Sequence, residues 1–164
     1  SHDHTALQKA VDSIVEWSES YGMPLAEEKT ALLQLGKKNK RHRYFLKGNP
    51  IEPSVTIKDL GVTIDHKLSF ESHINRTTNA AMNRVRQLIH CFKFSDIETM
   101  MSIFNTYVLP QIEYASTIYN PPPRSNLTKL LEKPLRLYTK VICRRANIQT
   151  ANYEDRLIKL GRKP

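Results

Sequence analysis

Glycine is scarce in this chain: five residues in 164, none of them clustered. That excludes the phosphate-cradling loops of nucleotide-binding enzymes, which need several glycines at close spacing. The two cysteines, Cys91 and Cys143, are too few for a disulfide framework and have no His or Cys partners at zinc-ligand spacing. No Gly-x-Ser-x-Gly elbow occurs. No apolar run approaches the roughly 20 residues of a membrane span, and no signal peptide is visible at the start. The expectation is therefore an intracellular protein, in nucleus or cytoplasm, without membrane attachment. The first residue is Ser, so a processed chain, or one cut from something longer, is expected. There is also no Asp-Asp dipeptide anywhere.

Acidic residues are in short supply after position 35. The whole chain carries a net +9, but residues 1–35 hold −4 and residues 36–164 hold +13. A basic region of that size favours a polyanion, and nucleic acid is the commonest one. Charge alone leaves open a merely solubilising surface. A hydrophobic fraction of 40% supports a folded core.

What is present falls into two regimes that meet near residue 69. In Val55 to Ile74, Val55 and Ile57 alternate with polar residues, and so do Leu60, Val62 and Ile64. This is the period of strands with one buried face, and a shift of phase at Lys58-Asp59 predicts a bulge or tight turn. From Ile74 the period changes: Ile74, Thr78, Ala81, Val85, Leu88 and Phe92 step by four and three, as on one helix face. Ser69 is the expected N-cap of a helix over about 70–93.

Before this junction, residues 5–21 predict an amphipathic helix with Leu7, Ala10, Val11, Ile14, Val15 and Trp17 or Ser18 as its buried stripe. Gly22 and Pro24 end it. A short strand is expected at Ala31 to Leu35, and another element around Tyr44 to Leu46 with a turn at Lys47-Gly48-Asn49. The short connections predict antiparallel pairing of three or four strands.

Beyond the junction, Ser95-Asp96-Ile97-Glu98 reads as a capping box. It opens a helix with Ile97, Met100, Met101, Phe104 and Val108 on one face, interrupted at Pro110. A long helix over about 126–146 has Leu127, Leu130, Leu131, Leu135, Tyr138 and Ile142 as its core side, with Pro134 predicting a kink or restart. A last short helix runs from Tyr153 to Leu160. The fold class is thus α+β: a small antiparallel sheet with one packed helix over residues 1–68, then a helical bundle over 69–164.

Two basic constellations stand out. Lys37, Lys38, Lys40, Arg41 and Arg43 crowd into seven residues, either as a solvated hairpin tip or as phosphate contacts. Lys129, Lys133, Arg136, Lys140 and Arg144 step by four, three, four and four, which aligns them along one side of the long helix, with Arg145 beside them. Such a stripe can track phosphates, though a bundle helix also shows water a charged face. Asp59 and Asp65 could be a carboxylate pair, but Asp is common at strand bends for turn reasons alone. The six histidines do not have metal-site spacing, so no metal site is expected.

The order of the segments adds a further reading. Leu7-Gln8 through Trp17-Ser18 is followed by Gly22-Met23-Pro24-Leu25 with Glu28-Lys29-Thr30. Then come Lys58-Asp59-Leu60-Gly61-Val62, Ile64-Asp65, Lys67-Leu68-Ser69-Phe70, His73-Ile74, and Val108-Leu109-Pro110-Gln111-Ile112-Glu113-Tyr114-Ala115-Ser116. The series resembles the C-terminal part of reverse transcriptases (RNA-directed DNA polymerases) from non-LTR, long interspersed element retrotransposons. The resemblance implies that residues 1–68 are the end of a palm with a motif D-like segment and a primer-grip-like hairpin, and that residues 69–164 are a helical thumb with its C-terminal extension. It implies that Lys29 acts as a motif D lysine, proposed to protonate departing pyrophosphate, unless it pairs with Glu27 or Glu28. It implies that Lys58, Leu60 and Gly61 help position a primer–template or RNA–DNA duplex, with upstream palm and fingers as partners. The parent enzymes use magnesium held by a Tyr-x-Asp-Asp turn that is absent here, so this chain alone is expected to be inactive and to need no cofactor. The competing reading is a retrotransposon-derived helical protein-interaction module with no polymerase role, marked by an exposed apolar face at Met100 and Met101.

Overall fold

A computed structural model describes residues 2–36, 38–93 and 96–162. The chain forms two compact units, Ser1–Ser69 and Phe70–Pro164, and its class is mixed α+β.

The first unit opens with α1, His2–Ser20. Gly22, at φ 68°, ends it. Met23 N–H donates to the Ser18 carbonyl at 2.8 Å and Gly22 N–H to Glu19 at 3.1 Å, the paired bonds of a Schellman stop. Only part of the expected stripe packs: Val11, Val15 and Ser18. Leu7, Ile14 and Trp17 are exposed, whereas Ser18 is fully buried and His4, Gln8, Val11 and Val15 are half-buried. Gln8 takes part in the packing. Its amide accepts from Phe45 N–H and donates to Phe45 O, each at 2.9 Å, and so pairs like a strand with the backbone of the neighbouring segment.

The strands form three separate two-stranded ladders. β1 (Leu32–Leu33) pairs in parallel with β4 (Pro53–Ser54), while β2 (Phe45–Leu46) and β3 (Asn49–Pro50) form a small hairpin between them. The expectation of purely antiparallel pairing therefore fails for β1. Its connection to β4 is long enough to enclose a whole hairpin and bring the chain back in the same direction. β5 (Thr56–Asp59) and β6 (Val62–Asp65) pair antiparallel, with Ile57 opposite Ile64 and Lys58 opposite Thr63. The turn is Leu60-Gly61, both with positive φ (43° and 87°), the conformation of a tight type I′ hairpin. It lies two residues later than the predicted bend at Lys58-Asp59. Leu60 and Val55 are accordingly exposed, while Val62 is buried.

The second unit starts with α2, Glu71–Cys91. Phe70, in the left-handed conformation, occupies the cap position expected of Ser69. Ser69 is instead held by Asp65, whose carboxylate accepts its N–H at 3.1 Å and its hydroxyl at 2.9 Å. α3, Ile97–Tyr107, is capped by Asp96, whose side chain accepts Thr99 N–H; Ser95, the expected first member of a capping box, lies outside the described residues. Pro110 restarts the helix as α4, Leu109–Glu113, near its N-terminus, where proline's missing N–H costs nothing. α5 (Ser116–Tyr119) follows a left-handed Ala115. α6, Asn126–Arg145, is capped by Ser125 and runs as one helix through the buried Pro134, without the predicted restart. α7, Tyr153–Lys159, ends at Gly161.

α2, α3 and α6 enclose one core of Ala81, Val85, Leu88, Met100, Met101, Phe104, Val108, Tyr138 and Ile142. Tyr138 donates its hydroxyl to the Met100 carbonyl at 2.8 Å, and burial pushes its phenol up to about 12. Burial likewise pushes the Cys143 thiol up, which keeps it protonated and unreactive. Among the described residues of the first unit, the buried apolar side chains are few, Leu46 and Val62.

Candidate nucleic-acid interface

The cations of α6 keep to one side. At about 100° per residue, the steps from Lys129 to Arg144 confine all five to an arc of about 80° over a length of about 22 Å. All five are exposed. The helix rolls its other side into the core through Pro134, Tyr138, Thr139, Ile142 and Cys143, so the charged arc is the complement of the packed one. Arg136 is partly committed. It donates two hydrogen bonds to Glu132, at 2.7 and 3.0 Å, and lies 3.9 Å over the ring of Tyr153. Lys129, Lys133, Lys140 and Arg144 form no ion pair among the described residues.

Arg145, one residue further on, faces elsewhere. Its guanidinium donates to Ile89 O at 2.7 Å and Phe92 O at 2.8 Å. It closes the carbonyl end of α2, where a positive charge is also favoured by the helix dipole. It belongs to the packing between helices and not to the stripe.

In the first unit, Lys58 is exposed on the face of the β5–β6 hairpin opposite Ile57, Ile64 and Val62. Leu60 stands at the tip with 83% of its surface exposed. A leucine with positive φ is disfavoured sterically, and Asn or Gly would be the ordinary choice there. Lys29 ends a single 3-10 turn, Glu27–Lys29, and is exposed. It pairs with neither neighbouring glutamate among the described residues; Glu27 instead faces Lys47 at 4.0 Å and Asn49 at 3.1 Å.

Lys37 lies outside the described residues. Lys38, Lys40, Arg41 and Arg43 are exposed on an irregular loop, not on a hairpin tip. The loop is tied down by Asn39, which donates to Leu35 O and accepts from Arg41 N–H, and by Gln34, which donates to His42 O at 2.9 Å. Behind it is a cleft of about 530 Å³ between this loop and the β3–β4 segment. His42 and His66 both line it. His42 is held below its usual range by burial, with His4 and Lys40 adding to the effect. His4 stacks near it, ring centres 4.3 Å apart. Sequence spacing gave no hint of this cleft, because the parallel β1–β4 ladder is what gathers residues 34, 41–43, 50–55 and 66.

Asp65 fits the turn reading. Besides Ser69 it accepts Lys67 N–H at 2.8 Å, so its oxygens are engaged in shaping the chain after β6. Among the described residues no three or more His, Cys, Asp or Glu side chains are grouped so as to hold a metal ion. Met100 and Met101, which would mark the interaction-module reading if exposed, are in the core. No helix among the described residues is long and apolar enough to cross a membrane.

No protein-family model matches the chain. An uncharacterised protein of Caenorhabditis elegans is 36% identical over 107 residues, covering 65% of this chain and 54% of that protein. The RNA-directed DNA polymerase from mobile element jockey of Drosophila melanogaster is 25% identical over 130 residues, 77% of this chain but 14% of the polymerase. The chain thus spans about half the length of the first relative and a small part of the second. No solved structure matches.

Proposed function

We propose that this chain is a nucleic-acid-binding palm-end and thumb piece of an RNA-directed DNA polymerase, able to hold a primer–template duplex but not to polymerise. The observation that carries this reading is the exposed, one-sided row of Lys129, Lys133, Lys140 and Arg144 on a helix whose opposite side is core. The partial similarity to the jockey polymerase supports the same direction. Lys58 with the Leu60-Gly61 tip, and the loop bearing Lys38, Lys40, Arg41 and Arg43, would contact the strand backbone from the first unit. Such contacts follow helix shape and phosphate position rather than sequence. Lys29, exposed and in no ion pair among the described residues, keeps the freedom a proton donor would need.

The test is binding of a labelled RNA–DNA hybrid followed against salt. Four phosphate contacts give a slope of about −3.6 in log K against log salt, an affinity loss of about 150-fold between 50 and 200 mM. Changing Lys129 and Lys133 to Gln should flatten the slope by about 1.8. A hybrid affinity indifferent to salt, or to this double change, would overturn the reading. Magnesium-dependent primer extension by the isolated chain would overturn the expectation of inactivity.

A further inference from the structure

The cleft behind the basic loop combines features that a plain phosphate contact does not require. Its lining includes two cations, Arg41 and Arg43, a carboxylate, Glu52, and the apolar Ile51 and Pro53. Two imidazole nitrogens, His42 Nε2 and His66 Nδ1, are buried without a hydrogen-bond partner among the described residues. Both rings line the cleft, so a ligand seated in it would change their surroundings. The volume of about 530 Å³ lies within the range of clefts that enclose a small molecule. A bare anion would use the arginines and leave Glu52 repelling it.

We infer that this cleft is a pocket for a single nucleotide unit: Arg41 and Arg43 hold the phosphate, Glu52 accepts from the sugar hydroxyls, the base lies on Ile51 and Pro53, and the rings of His42 and His66 border it. The inference rests on the reading of Arg41 and Arg43 as phosphate contacts, and adds that the unit is enclosed and not merely touched along a backbone. In the loop conformation described, the arginines are positioned by Asn39 and Gln34 through the backbone, so their side chains can be altered without removing those bonds.

The test is a titration of the full chain with adenosine monophosphate, adenosine and inorganic phosphate, read by the NMR signals of the His42 and His66 rings. Adenosine monophosphate should move both signals saturably, with a dissociation constant near 1 mM, and more tightly than either adenosine or phosphate. Arg41→Gln with Arg43→Gln should weaken it at least about tenfold, a loss of about 1.4 kcal/mol. Glu52→Gln should weaken the nucleotide while leaving phosphate unchanged. No movement of either ring signal at about 10 mM nucleotide, or equal affinity for phosphate alone, would overturn the pocket. That failure is separable from failure of the duplex reading, which is measured by the salt slope and by Lys129 and Lys133 in the other unit.

Discussion

Arg144 and Arg145 are adjacent in sequence and opposite in role, and separating them is the sharpest check on the structure. Arg145 makes two charge-assisted hydrogen bonds to the last carbonyls of α2. In a protected setting each would contribute about 1.5–3 kcal/mol, with about 0.3–1 kcal/mol more from the helix dipole. The side chain is exposed, so water competes for both bonds and salt screens the charge, and the total falls to about 1–2 kcal/mol. For a unit of this size each kcal/mol lowers the melting temperature by roughly 4–8 °C. Arg145→Ala should therefore lower the helical melting transition, followed by far-ultraviolet circular dichroism, by roughly 4–16 °C. Arg144→Ala removes no side-chain hydrogen bond or ion pair among the described residues and should stay within about 0.5 kcal/mol of the parent. Its effect belongs in hybrid binding, where loss of one phosphate contact flattens the salt slope by about 0.9. A double dissociation is expected: stability for Arg145, binding for Arg144. If Arg145→Ala melts like the parent while flattening the salt slope, the cap is wrong and Arg145 belongs to the stripe after all.

Further outcomes follow from individual residues. Leu60→Asn should stabilise the first unit by about 0.5–1 kcal/mol by relieving positive φ, while weakening hybrid binding; a destabilised hairpin would show that the turn is not the one described. Tyr138→Phe should cost about 1 kcal/mol through the lost bond to Met100 O, and Tyr138→Ala about 3–5 kcal/mol, both read from urea midpoints; a neutral Tyr138→Phe would sink the buried bond. His73 is buried, and burial, then Arg76, holds its pKa below 6.5. The unfolded chain therefore binds the extra proton first, so stability is complete above about pH 6.5 and declines as the pH falls toward the depressed value. Urea midpoints at pH 7.5 and 5.0 should show this loss, and His73→Phe should shrink it; an unchanged acid loss would assign it to other groups.

Much of the helical unit was legible because its signals are local. The four-three stepping of Ile74, Thr78, Ala81, Val85 and Leu88 is the buried side of α2, and Gly161 ends α7 as capping chemistry dictates. Pro134 misled because a proline removes one hydrogen bond without forcing a break when its ring is itself packed in the core. Tyr138 and Ile142 were visible as core and the cationic arc as its complement, but nothing in the spacing distinguished Arg145 from Arg144. That distinction depends on where α2 ends, which is a tertiary fact.

The first unit was harder to read, and α1 shows why. The expected stripe mixes two rows, one through Val11 and Val15 and one through Leu7, Ile14 and Trp17, and hydropathy alone does not choose between them. The structure buries the first, together with Gln8 and Ser18. A polar side chain takes part in the packing: the glutamine amide pairs with both backbone groups of Phe45. Hydropathy cannot register such a pairing, since it scores Gln8 as a solvent residue. The same blindness hid the cleft, whose lining is drawn from segments that only the parallel β1–β4 ladder unites. Where a unit buries few apolar side chains, backbone satisfaction and not the hydrophobic period sets the architecture, and the functional surface is then found where those backbone pairings leave polar groups facing outward.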